Sequence, residues 1–165
     1  MTPYVSIVGK SDAGKTTLIE RLIRELKARG LRVGTVKHDV HGFEMDREGK
    51  DSWRHAQAGA DSVVVSSPQG LALIKRVDQE LKLTEVVEQF LGDVDLVLTE
   101  GYKRESTCRV EVHRAAHAPG LISAPEELLA VATDEPLALD VPQFDLDDAA
   151  GLADFLIGTL LGGRA

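Results

Sequence analysis

Gly9-Lys10-Ser11-Asp12-Ala13-Gly14-Lys15-Thr16-Thr17 fits G-x-x-x-x-G-K-[ST], the pattern of a phosphate-binding loop. Gly9 and Gly14 let the backbone turn where a side chain would clash, and let it approach a polyphosphate. The N–H groups from Ser11 to Thr16 can then point inward at phosphate oxygens. Lys15 supplies positive charge for the β- and γ-phosphates, and Thr16 offers a hydroxyl to Mg²⁺. The motif requires a strand before the loop and a helix after it. Val5-Ser6-Ile7-Val8 reads as a buried strand, and Thr17 opens a helical pattern.

Outward from the loop, residues 4–9 read as the first strand. Residues 16–29 read as a helix, because Leu18, Ile19, Leu22, Ile23 and Leu26 recur at helical spacing. Glu20 with Arg24, and Arg21 with Glu25, stand four apart on its exposed side. Gly30 ends the helix, and Arg32 to Lys37 is a second strand. The unit predicts a parallel strand pair with a right-handed crossover. Residues 37–52 are polar, with two glycines and no sustained period, and read as a long loop near the phosphates. Asp51 to Ala58 reads as a short helix.

Ser62 to Ser67 and Leu71 to Arg76 are strand-like runs joined by Ser67-Pro68-Gln69-Gly70, a hairpin signal. The hairpin predicts a mixed sheet with an antiparallel section. Thr84 is placed to cap a helix carrying Val86, Val87, Phe90 and Leu91. Asp95 to Glu100 is an apolar strand ending in an acid, and Arg109 to His113 is a strand expected to run antiparallel to a neighbour. Leu128 to Thr133 reads as the last buried strand, and Asp145 or Asp147 as the cap of a C-terminal helix with Leu152, Phe155, Leu156 and Leu160 inward. The expected class is α/β: a P-loop NTPase fold, with a mixed, mainly parallel sheet, helices on both faces, and one domain over residues 1–165.

The 165 residues suffice for one core, and a net charge of −8 argues against a nucleic-acid partner. The single Cys108 fits a reducing cytoplasm. The first strand starts almost at Met1, so no secretory leader is expected. No uncharged apolar run is as long as a membrane span, so no membrane partner is expected.

Glu100 is the second candidate site residue. Ligands in open α/β sheets sit beyond the carboxyl ends of strands. A carboxylate there, followed by Gly101, is suited to Mg²⁺ or its water shell. Lys15 and Glu100 are the candidate catalytic groups, and Thr16, Asp39 and Glu100 the candidate metal groups. Lys103, Arg104, Arg109, His113 and Arg114 form a basic cluster, with Arg109, Glu111 and His113 on one strand face. It is either a site for a second anion, such as a phosphorylated cofactor, or a charge-balanced edge strand. His38, His41 and His55 match no tight zinc spacing; His38 and Asp39 are placed to face the nucleotide's Mg²⁺ or γ-phosphate. Asp134 ends a strand and is either a reader of guanine's N1–H and N2 amine or a turn residue. Lys10 resembles the lysine with which one class of dimeric nucleotidases reaches the partner subunit's nucleotide; the other reading is an exposed loop lysine.

Several segments together resemble the molybdopterin-guanine dinucleotide biosynthesis protein B family. They are Gly14-Lys15-Thr16-Thr17-Leu18, Thr35-Val36-Lys37-His38-Asp39, Gly49-Lys50-Asp51-Ser52, Ala58-Gly59-Ala60, Glu100-Gly101-Tyr102-Lys103 and Glu111-Val112-His113-Arg114. Residues 10–13 do not carry the likeness. The resemblance implies a homodimeric GTP-binding accessory protein of molybdenum cofactor maturation with weak GTPase activity. It further implies that the protein assists the guanylyltransferase joining GMP to molybdopterin, and that molybdopterin-loaded proteins are partners. The residues by themselves support Mg²⁺-nucleotide binding, with nucleotide contacts at residues 9–17, His38, Lys103 and Asp134.

The alternative from the residues is a small-molecule kinase using ATP or GTP. It needs an acceptor pocket and a lid carrying arginines, and the 38–52 loop offers only Arg47. A metal-insertion GTPase needs a soft-ligand cluster, which one cysteine with scattered histidines does not supply.

Overall fold

Alternation of side chains across successive strands decides what each face of the sheet meets. In the computed structural model, which describes residues 1–102, 108–117 and 120–162, this alternation sorts the core into two clusters. The strands are β1 (Tyr4–Gly9), β2 (Val33–Lys37), β3 (Ser62–Ser67), β4 (Gly70–Lys75), β5 (Leu96–Glu100), β6 (Arg109–His113), β7 (Leu128–Thr133) and β8 (Gln143–Asp145). The helices are α1 (Lys15–Ala28), α2 (Asp51–Gln57), α3 (Leu83–Phe90) and α4 (Ala149–Leu160).

Val5, Ile7, Leu96, Leu98, Val110 and Val112 pack with Leu18, Leu22 and Leu26 of α1 and Leu152 and Leu156 of α4. Val97 packs with Leu83 and Val87 of α3 and with Tyr102. Helices therefore cover both faces, as expected.

Six strands form one sheet in the order β2-β5-β1-β6-β7-β8, and every pairing in it is parallel. The α/β class holds, with three corrections of detail. β6 runs parallel to both β1 and β7, not antiparallel to either. β1 and β2 are not paired with each other, because β5 lies between them. The β3–β4 hairpin forms its own two-stranded antiparallel sheet and adds nothing to the large one.

The chain resolves into two compact units, residues 1–38 with 82–165 and residues 39–81. The second holds α2 and the hairpin.

Some local expectations also change. Asp148, not Asp145 or Asp147, caps α4, accepting the Gly151 N–H at 2.9 Å. Asp145 instead accepts the Asp147 N–H. Thr84 lies inside α3; the cap position is Lys82, whose N–H donates to Glu85 at 2.7 Å. β8 follows the strand expected to be last. Arg24 pairs with Glu20 as expected, but Arg21 reaches Asp147 across to the start of α4, and Glu25 takes Arg29. Arg29 also binds Asp154 at 2.7 Å, tying α1 to α4.

Candidate phosphate-binding site

The loop between β1 and α1 needs its glycines. Gly9 has φ 143°, and a Cβ there would lie 2.5 Å from the Val112 carbonyl oxygen of β6. Gly14 has φ 101°, and Asp12 also sits in the left-handed region with φ 60°. Gly14 begins the helix, its carbonyl accepting the Leu18 N–H at 2.9 Å. The loop thus opens onto the positive end of a 14-residue helix, where anions are favoured.

β5 lies beside β1, with Glu100 in register with Ile7. Its carboxylate therefore ends next to the first turn of α1. Thr16 Oγ1 lies 3.3 Å from both Glu100 oxygens. Lys15 Nζ arches back to donate to the carbonyls of Gly9 at 3.2 Å and Lys10 at 2.7 Å. Ser11, Asp12, Gly14, Lys15, Thr16, Thr17 and Glu100 line a cavity of ≈ 380 Å³. A hydroxyl and a carboxylate, both hard oxygen donors, suit a Mg²⁺ that keeps several waters and takes its remaining ligands from phosphate. Among the described residues, no group of three or more His, Cys, Asp or Glu is assembled for a metal.

The other candidates fall in several places. Ala13 is buried in the core, so only its backbone belongs to the loop surface. Lys10 Nζ donates to the Gly120 carbonyl of its own chain at 3.0 Å and is not among the residues lining the ≈ 380 Å³ cavity. His38 extends the β2–β5 ladder, donating to the Glu100 carbonyl at 2.8 Å, and its ring lies 4.7 Å from that of Tyr102. Gly101 permits this approach, since a Cβ there would lie 2.5 Å from the His38 carbonyl oxygen. Asp39 belongs to the second unit and accepts the His41 N–H at 3.0 Å. Lys103 and Arg104 lie outside the described residues. Asp134 accepts the Ala115 N–H at 2.9 Å and borders a second cavity, of ≈ 320 Å³, at the carboxyl ends of β7 and β8.

The part of the basic cluster that lies on β6 is not on an edge strand. β6 is central, and Arg109, Glu111 and His113 are all buried. Arg109 pairs with Glu127 at 2.8 Å and His113 with Glu135 at 2.9 Å. Glu111 accepts the N–H groups of Ile122 and Ser123, anchoring the crossover that leads to β7. Arg114 Nε donates to the Ala13 carbonyl at 3.0 Å, which puts its guanidinium behind the loop. No local sequence signal marks that contact, which joins residues 101 apart in the chain.

A parallel sheet whose first strand runs through a glycine-bounded loop into a helix, with a carboxylate on the adjacent strand, defines a P-loop NTPase-like protein. The family model described as "Molybdopterin guanine dinucleotide synthesis protein B" matches residues 4–134, and the chain belongs to that family. Molybdopterin-guanine dinucleotide biosynthesis adapter proteins of Haemophilus influenzae and Escherichia coli are each 39% identical to it. The matches cover 93% and 95% of this chain and 87% and 93% of those proteins, respectively. Among solved structures, that of Bacillus subtilis MobB superimposes with TM-score 0.76 at 30% identity, covering 96% of this chain and 98% of that one. A crystal structure of molybdopterin-guanine biosynthesis protein B gives TM-score 0.73 at 36% identity, covering 94% and 97%.

Proposed function

We propose that this chain is an adapter in molybdopterin-guanine dinucleotide biosynthesis that binds Mg²⁺-GTP on the β1–α1 loop and hydrolyses it slowly. The observation that carries the reading is the ≈ 380 Å³ cavity in which Lys15, Thr16 and Glu100 converge beside the loop. Lys15 and the loop N–H groups hold the β- and γ-phosphates, and Thr16 and Glu100 hold Mg²⁺ or its waters. The metal's part is to neutralise charge on the phosphates.

Support for slow turnover comes from what lines the cavity. Among the described residues, its lining has no arginine and no glutamine to steady the transition state or orient water, and such groups supply large rate factors. Turnover by the isolated protein is expected below about 1 s⁻¹.

Support for guanine comes from Asp134. One of its oxygens is engaged by Ala115, and the residue borders a cavity that also includes Phe144 and Pro136. In this reading Asp134 accepts from the base while the ring lies against those apolar walls.

The chain acts in the cytoplasm, as a homodimer, and assists the guanylyltransferase step alongside molybdopterin-loaded proteins. The dimer reading draws on the hairpin unit. Val64, Leu71 and Leu73 share one exposed face there, and a two-stranded sheet gains stability from further pairing.

The test is a Mg²⁺-dependent competition titration of fluorescent GTP with unlabelled GTP and ATP. Displacement by GTP well ahead of ATP is expected. Equal displacement by both, or preference for ATP, would remove the GTP assignment.

A further inference from the structure

We propose that Arg114 is a positioning residue of the phosphate loop: it holds the Ala13 carbonyl and so aims the Gly14 N–H into the phosphate cavity. The inference rests on the nucleotide-binding reading of that loop.

Its basis is peptide geometry. Ala13 C=O and Gly14 N–H belong to one planar trans unit, in which the two groups point in opposite directions. Arg114 Nε donates to the Ala13 oxygen at 3.0 Å. The guanidinium also passes within 3.6 Å of the place a Gly14 Cβ would occupy. Gly14 lines the phosphate cavity, whereas Arg114 lines a separate small space behind the loop together with Lys10, Glu111 and Gly120. The carbonyl therefore faces away from the cavity and the N–H faces toward it.

The brace is itself fixed. Arg114 directly follows β6, whose Val112 is in register with Gly9 and leaves no room for a side chain there. The preceding His113 is buried and bonded to Glu135. The loop is thus held from behind by a rigid central strand, so a phosphate would meet an N–H already pointed at it.

The choice of variants separates the hydrogen bond from the charge. In Arg114→Gln the side-chain amide nitrogen stands at the same number of bonds from Cβ as the arginine Nε, so it can donate to Ala13 without a charge. Arg114→Lys keeps the charge but loses the planar donor at that position. In the full-length protein, Arg114→Ala is expected to weaken Mg²⁺-GDP and Mg²⁺-GTP binding by about 10- to 100-fold, as expected for one lost bond to a charged group. Arg114→Gln should restore most of that affinity, and Arg114→Lys should not.

A second readout starts from the unmutated protein and reports on the loop itself. The Gly14 amide proton resonance should move markedly downfield on addition of Mg²⁺-GDP, and that movement should be lost in Arg114→Ala and regained in Arg114→Gln. Wild-type affinity in Arg114→Ala, rescue by lysine but not by glutamine, or a Gly14 resonance that stays fixed while those of Lys15 and Thr16 move would each overturn the proposal. Failure of the underlying reading looks different: neither nucleotide binds the unmutated protein, or Lys15→Ala binds as tightly.

Discussion

The two units of the chain treat their apolar residues in opposite ways. In the unit of residues 1–38 and 82–165, Val5, Ile7, Leu96, Leu98 and Val110 are wholly buried between helices. In the unit of residues 39–81, Val64 is 55% exposed and Leu71 71% exposed on a hairpin face, and α2 has no buried residue. The first unit is a finished core that holds a rigid loop at one end of its sheet. The second leaves its hairpin side chains largely without cover. The contrast is between a unit that closes over its own core and one that leaves apolar side chains exposed.

The largest effect should come from the core. Leu98→Ala removes a fully buried side chain and is expected to cost about 2–5 kcal/mol in denaturant unfolding. Leu71→Ser on the hairpin should change the stability of the monomer by at most about 0.5 kcal/mol, yet shift sedimentation toward monomer. Equal costs for the two substitutions would erase the contrast. Gly9→Ala should fall between them, at about 1–3 kcal/mol, since the added Cβ meets the Val112 carbonyl in a backbone conformation that alanine avoids. Its nucleotide affinity should fall as well, because the loop must shift to make room.

How much of this was legible in the sequence differed by kind of feature. The loop, β1, α1 and the acid ending β5 were readable because each is set by local spacing: glycines bounding a turn, a 3.6-residue period, an apolar run. Pairing was not readable. Nothing in residues 4–37 says that β5 will come between β1 and β2, or that β6 will run parallel to both neighbours. The β6 charges looked like a basic patch because their partners, Glu127, Glu135 and the Ala13 carbonyl, lie far away in the chain or in other elements. The short β8 has only three residues, too few to establish a period from sequence. Asp145 and Asp147 both read as caps of the C-terminal helix, yet the cap is Asp148, whose bond to the Gly151 N–H no spacing rule singled out.

The smallest effect tests the far end of the finished unit. Asp95 is held at about 2 instead of the ordinary 3.8, chiefly by its hydrogen bonds from the Arg32 side chain and backbone N–H. A carboxyl whose pKa is lowered on folding contributes stability above its unfolded value and loses it as pH falls. Melting temperature should therefore drop slightly between pH 4 and pH 2 from this pair, and Asp95→Asn should flatten that part of the profile. An unchanged slope in the variant would show that the pair is silent.

The most direct measurement of the central claim is calorimetric titration of Mg²⁺-GTP into the unmutated protein and into Lys15→Ala. Binding in the first, with loss of measurable binding in a second that melts at the same temperature, is the predicted result. Equal affinity in both would contradict the assignment of the β1–α1 loop as the nucleotide site.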